Sequence, residues 1–372
     1  MLRKVAQIVC LVVLLLALPL VGVFLNGQPI ARYLELPPLT EYVAHAPFSW
    51  PVFLGLTLVI LVVAAPALGR LATVRVSGEH VSTRRPFPIW GWGGVLLVAA
   101  AWTLAWTRFP WFAGMQPFTF TPLWLGYIIV INALTVRRTG SSMLTRRPGY
   151  LLALFPLSAA FWWFFEYLNR FVQNWHYHGI REFSGGEYAF HATVSFSTVL
   201  PAVMGTVEWL SSYPSMNKAF QNLPSLGIMQ TKRVGALGVM IGAGGLMGLA
   251  IWPDYLFPLV WTAPLILITA IQALAGQKTI FSELQYGDWR RVGVPALAGL
   301  CCGFFWELWN VNSQAHWEYT IPFVHRFLVF EMPLLGYAGY LPFGLECVVV
   351  AGLLADHAGY DPDKPLQKTD QA

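Results

Sequence analysis

Residues 164–177 read FFEYLNRFVQNWHY, and residues 304–319 read FFWELWNVNSQAHWEY. Each stretch holds a glutamate, an asparagine three positions on, and then a tryptophan and a tyrosine. These are Glu166, Asn169, Trp175 and Tyr177 in the first, and Glu307, Asn310, Trp317 and Tyr319 in the second. The glutamates stand 141 residues apart, each near the end of a long apolar run. A carboxylate in a run that crosses a bilayer is costly unless something pairs with it, which makes it a functional candidate. The same costly arrangement met twice points to a duplicated unit with one purpose.

The composition around these stretches agrees with a bilayer setting. Of 372 residues, 56% are hydrophobic and 11% charged, and the mean hydropathy is +0.56. A soluble domain carries about a quarter charged residues. Too little polar side chain exists here to cover a surface in water, and apolar segments of about 20 residues are expected to span a bilayer. Ten such segments are read, near 5–25, 51–69, 89–109, 119–136, 150–170, 190–211, 234–252, 256–275, 293–310 and 334–356. The first follows Met1, Leu2, Arg3 and Lys4; its apolar run is long and lacks a small-x-small cleavage site, so an uncleaved signal anchor is expected.

With the N-terminus in the cytoplasm, 18 of the 23 Lys and Arg residues fall in inner segments. The outer segments hold the remaining 5: Arg32, Arg108, Arg170, Arg181 and Arg326. This is the bias of the positive-inside rule, and it puts both termini on the cytoplasmic side of the inner membrane. The net charge of +5 is dispersed among loops rather than gathered on one face, so no nucleic-acid partner is expected.

The repeat extends beyond the opening stretches. Pro201 matches Pro342 at an offset of 141, and Asn132 matches Gln272 at 140. The expected fold is all-α and polytopic, with about ten transmembrane helices. An N-terminal helix pair (1–88) precedes a four-helix repeat (89–211), a cytoplasmic connector (212–233), a second four-helix repeat (234–356) and a cytoplasmic tail (357–372). Each repeat holds an even number of spans, so the two run parallel, related by an axis along the membrane normal. In the seventh span, Gly238 and Gly242, and Gly244 and Gly248, are spaced for close helix packing.

Positions i and i+3 share a helix face. Glu166 with Asn169, and Glu307 with Asn310, therefore present a carboxylate beside an amide near the outer ends of spans five and nine. The Trp and Tyr residues that follow suit the headgroup level. Pro201 and Pro342 fall inside spans six and ten, where matched kinks free carbonyls near Ser197 and Ala338. Glu346 lies four residues after Pro342 and is the deepest carboxylate; Asn132 and Gln272 are its candidate partners. The first repeat has Gly205 at the matching place and Glu208 three residues on.

Glu166, Glu307 and Glu346 are the candidate catalytic groups. Asn169, Trp175, Tyr177, Asn310, His316, Trp317, Tyr319 and Glu331 are the candidate substrate-binding groups, expected in and around a cavity that opens to the outer face. The outer loops also carry His176, His178, Arg181, Glu182, Glu187 and His191, then Glu318, His325 and Arg326. No HExxH or matched histidine spacing occurs, so neither a metal nor a haem is expected, and the imidazoles are assigned to proton exchange or substrate hydrogen bonding. No P-loop or dinucleotide fingerprint is present, and no cofactor is expected. The basic loop at 137–147 reads as an orientation signal that touches anionic lipid. Cys10, Cys301, Cys302 and Cys347 all lie in apolar spans without a CxxC, so no disulfide and no zinc site are expected.

Three functions fit this pattern. An enzyme acting on a lipid or isoprenoid would use one glutamate to donate a proton and a second carboxylate or a histidine to accept one, with aromatic rings around the chain. A transporter would use the same carboxylates to bind a cation or relay protons. A scaffold would use the helices to hold a protein partner. The enzyme reading leads, with membrane lipids and a hydrophobic small molecule as partners.

Overall fold

In hydrocarbon a backbone must satisfy its own hydrogen bonds, and the apolar runs of this chain do so as helices. The computed structural model describes residues 2–35, 42–74, 85–180, 183–227 and 231–355. Arg75, Arg84, Arg181, Glu182, Lys364, Lys368 and the tail 357–372 lie outside the described residues. The helices are α1 (Leu2–Leu25), α2 (Trp50–Thr73), α3 (Ile89–Trp106), α4 (Phe120–Thr139), α5 (Met143–Arg146), α6 (Pro148–Val172), α7 (Gly185–Phe196), α8 (Val199–Ser211), α9 (Pro214–Ala219), α10 (Lys232–Leu249), α11 (Pro253–Leu256), α12 (Ala263–Leu274), α13 (Arg290–Asn310) and α14 (Tyr340–Ala355). The strands are β1 (Trp175–His178), β2 (His316–Tyr319), β3 (Leu328–Val329) and β4 (Met332–Pro333).

Helix runs through all ten expected stretches. Among the described residues, 8 of them can cross a membrane by length and hydropathy, and the pair 253–260 and 263–274, bent by 57°, adds a ninth if taken as one broken span. The chain is thus a multi-pass membrane protein. α10 is absent from that set because Lys232, Arg233 and six glycines dilute its apolar character.

The loops sort into two ends by the bonds they make. At one end the Asn26 amide donates to the Ala250 carbonyl (3.4 Å), Arg108 to Asn312 O (2.7 Å) and Thr320 Oγ1 to Gln173 O (3.0 Å), while His45 meets Asp254 (2.6 Å). At the other end Arg138 donates to the Ser212 hydroxyl (2.8 Å), Arg146 to Glu208 (2.8 Å) and Arg70 to Gln221 O (3.2 Å). Alternate loops along the chain meet one another in each set.

Two differences from the sequence reading concern spans six and ten. α7 stops at Phe196 and α8 begins at Val199, and a 3-10 turn over Leu334–Gly339 precedes α14. Pro201 and Pro342 are each the third residue of their helix rather than a mid-helix kink. Proline is well tolerated there, because first-turn amides have no carbonyl to bond within the helix. The Ser158 hydroxyl stitches the first break, accepting from Leu200 N (3.0 Å) and donating to Phe196 O (2.6 Å).

Small residues set the closest helix contacts. A Cβ on Gly344 would lie 2.0 Å from Pro295 O, and one on Gly299 would lie 2.3 Å from Tyr340 O. α13 and α14 therefore pack backbone to backbone, as small-residue pairs permit. On α10, Gly238, Gly242 and Gly248 meet Ala270, Leu267 and Leu256, whereas Gly244 faces open space. Bulky aromatics fill the middle of the bundle: Trp124 lies 4.9 Å from Trp306, and Phe165 stacks on Trp261 at 5.0 Å.

Candidate functional site

The fold departs from all-α at the point where the two opening stretches meet. β1 and β2 form an antiparallel ribbon with Trp175 opposite Tyr319, His176 opposite Glu318, Tyr177 opposite Trp317 and His178 opposite His316. Successive strand residues point to opposite faces. One face of the ribbon thus carries Trp175, Tyr177, Trp317 and Tyr319, and the other carries His176, His178, His316 and Glu318. Gly179 ends β1 at φ +72°, where a Cβ would lie 2.1 Å from Gln314 O, so glycine is required to bring the strands this close.

The asparagines hold the ribbon to the helices. Asn310 Nδ2 donates to Trp317 O (2.7 Å), and its Oδ1 accepts from Trp317 N (2.8 Å). Asn169 Nδ2 donates to Trp175 O (2.7 Å), and its Oδ1 accepts from Asn174 N (2.8 Å). Both amides are spent on backbone. Asn310→Ala removes two of these bonds at a cost of about 1–3 kcal/mol, and hydrogen exchange at the Trp317 amide is expected to accelerate.

The aromatic face is bonded to the buried carboxylates. Glu166 Oε1 accepts from Tyr177 OH (2.5 Å) and from Trp175 Nε1 (3.1 Å). Glu307 Oε1 accepts from Tyr319 OH (2.7 Å) and from Tyr340 OH of α14 (2.5 Å), while Trp317 Nε1 donates to Tyr319 OH (2.7 Å). The two sites differ for a plain reason. The residue 141 positions before Tyr340 is Val199, which has no donor, and Trp175 occupies that role. In both carboxylates Oε2 is buried without a hydrogen-bond partner. Burial, and then the adjoining Glu166 and Glu307 carboxylates, raise the Tyr177 and Tyr319 phenols well above their ordinary pKa, so both stay protonated as donors.

A cavity of about 930 Å³ adjoins this wall. Trp175, Tyr177, His316, Trp317 and Tyr319 line it, and so do Trp306, Tyr340 and Tyr188. A stripe of α2 at Leu56, Ile60, Ala64 and Leu71 forms a further wall. The volume lies within the range of small-molecule sites and the lining is mostly apolar, as such sites are.

Glu166, Asn169, Glu307 and Asn310 do not face this cavity, contrary to the expectation; they lie behind its aromatic wall. Carboxylates at the wall itself would need a charged or aqueous partner, whereas behind it they are met by phenol and indole donors. Glu346 is buried elsewhere, with Oε1 accepting from Leu265 N (2.9 Å) in the first turn of α12. Its partner is thus a backbone amide left open by a helix start, not Asn132 or Gln272. Asn132 Oδ1 accepts from Leu144 N instead (3.0 Å). Glu331 occupies the turn between β3 and β4, away from the cavity lining.

Tyr340 was missed by sequence reasoning. It lies 33 residues from Glu307 and outside both repeated stretches, so only its place two residues before Pro342 marks it. The ribbon itself was legible in principle, since WHYH and HWEY alternate with the period of two that strands show.

Comparison with family models, curated proteins and solved structures returns no match to this chain.

Proposed function

We propose that this chain is an inner-membrane enzyme that takes a lipid or isoprenoid molecule into the aromatic cavity and moves protons at that molecule through Tyr177–Glu166 and Tyr319–Glu307. The carrying observation is that each buried carboxylate reaches the cavity through phenols that line it, Glu166 through Tyr177 and Glu307 through Tyr319 and Tyr340. Each phenol donates to its carboxylate, so a proton taken up from the bound molecule at the phenol oxygen can be matched by passage of the phenol proton to the glutamate. Reversal of the same step delivers a proton. One pair working as base and the other as acid meets the ordinary requirement of acid–base chemistry. The tyrosines would touch the substrate, and the glutamates would act through them. The aromatic rings suit an apolar chain or a cationic centre.

The segregated loop bonds support ten crossings with both termini on one side, and the Lys and Arg bias favours the cytoplasm for that side. The matched Glu–Asn–Trp–Tyr bonding supports two parallel four-helix repeats that meet at the ribbon. Membrane lipids and a hydrophobic small molecule are the proposed partners. The test compares total lipid extracts from cells with wild-type protein and with Glu307→Gln. Loss of one lipid species at equal amounts of inserted protein is expected, and identical extracts would reject the enzyme reading.

One observation favours a second reading, a transporter. The span at 253–274 is broken by 57°, and a buried carboxylate, Glu346, sits at the start of its second half. Broken helices of this kind frame ion and substrate sites in transporters. Gradient-dependent uptake into liposomes is the result this reading requires.

A further inference from the structure

The outward face of the β1–β2 ribbon brings together three imidazoles and a carboxylate that are far apart in the chain. His178 Nε2 lies 3.4 Å from Glu318 Oε2, His316 Nε2 lies 3.5 Å from Glu318 Oε1, and His176 Nε2 lies 3.8 Å from Glu318 Oε2. One ligand atom each from His176, His178 and Glu318 falls within 4.8 Å of the others. The His178 and His316 rings stack at 5.2 Å, and those of His176 and His178 meet at 4.9 Å.

The distances discriminate between two explanations. A hydrogen bond from imidazole to carboxylate spans about 2.7–3.2 Å, and all three contacts exceed that. Two ligands at about 2.0–2.2 Å from one tetrahedral ion stand roughly 3.3 Å apart, close to what is seen. An unpaired atom points the same way. His178 Nε2, the nitrogen nearest Glu318, is buried without a hydrogen-bond partner, and His176 is only 7% exposed. His316 Nδ1 lies 3.2 Å from Gln314 O. A carbonyl can only accept, so this contact is a hydrogen bond when Nδ1 carries the proton, and the neutral ring of that tautomer leaves Nε2 free to bind an ion. Metal-binding histidines are held in this way by a backbone carbonyl on their other nitrogen.

We infer that His176, His178 and Glu318, with His316 closing in from its place 3.5 Å from Glu318 as the fourth ligand, form a site for one divalent transition ion of the zinc type, held across the ribbon. Imidazole nitrogen and carboxylate oxygen are ligands for such an ion. Sequence spacing gave no hint of it, because each strand supplies only two ligands, at i and i+2, and the antiparallel register makes the set. The ion would tie β1 to β2. It would thereby fix the aromatic residues on the other face of the same ribbon, whatever the cavity holds.

The test uses tag-free protein in mild detergent, stripped with chelator and titrated with Zn2+ alone, then with Co2+ for its absorption spectrum. One Zn2+ per chain and a rise in the unfolding midpoint are expected. Co2+ should give the strong visible bands of a low-coordinate site. His178→Ala and Glu318→Gln should each weaken binding by more than the roughly 10–100-fold that loss of an outer-shell partner costs. Both side chains are partly exposed, at 36% and 43%, so the variants should fold. His191→Ala, whose ring stacks on Phe118 outside the cluster, should bind as wild type. Wild-type protein without stoichiometric Zn2+, or both ligand variants binding as tightly as wild type, would overturn the inference.

Discussion

Gly344→Leu is expected to destabilise the protein by about 3 kcal/mol or more, at or above the upper end of what overpacking a well-filled contact costs. Even a methyl group there would lie 2.0 Å from the Pro295 carbonyl oxygen and 2.8 Å from its carbon. A flexible side chain could step aside, but backbone cannot. α13 and α14 must separate, and Tyr340 then leaves Glu307. The control lies on the same helix: a Cβ on Gly352 would meet nothing within 4 Å, so Gly352→Leu should leave the thermal midpoint in detergent unchanged. Equal midpoints for the two variants would show that the close approach of α13 and α14 is absent.

Tyr319→Phe and Glu307→Gln are expected to lower turnover by roughly 10²–10⁴-fold, the contribution of a positioned proton-transfer group. The two changes break the same relay at different links, so the double variant should be little worse than either alone. Groups that act as a unit behave in this non-additive way. Glutamine keeps an oxygen for Tyr340 and Tyr319 to bond, and the protein should insert in normal amounts. Phenylalanine leaves the Trp317 indole without its acceptor and carries a further stability cost of about 1–3 kcal/mol. The measure is accumulation of the affected lipid per molecule of inserted protein. Additive losses would mean that Tyr319 and Glu307 act independently.

Much of this arrangement is legible in the chain itself. Low charge and long apolar runs announce membrane helices, because the bilayer leaves the backbone few alternatives. The repeated Glu, Asn, Trp and Tyr residues mark the places where helix ends meet the ribbon. What each residue bonds to was harder to read. A carboxylate in an apolar setting announces that it needs a partner, but not which one. Glu166 found its partners within 11 residues, whereas Glu307 draws on Tyr340 from another helix and Glu346 on a backbone amide of α12. Tertiary packing decides such pairs. The ribbon escaped because four-residue strands are short beside the aromatic belt that Trp and Tyr near a helix end ordinarily imply. The histidine cluster escaped with it, since its members converge only once the strand register is known.

The central claim is that an apolar molecule occupies the cavity between α2 and the aromatic wall. The most direct measurement is mass spectrometry of molecules released from protein purified in mild detergent, for wild type and for Ala192→Trp, which introduces an indole at a cavity-lining position. Close to one lipid or isoprenoid per wild-type chain, and a large loss of it in the variant, is the predicted result. Wild-type protein that carries no such molecule, or a variant that carries the same amount, would contradict the account.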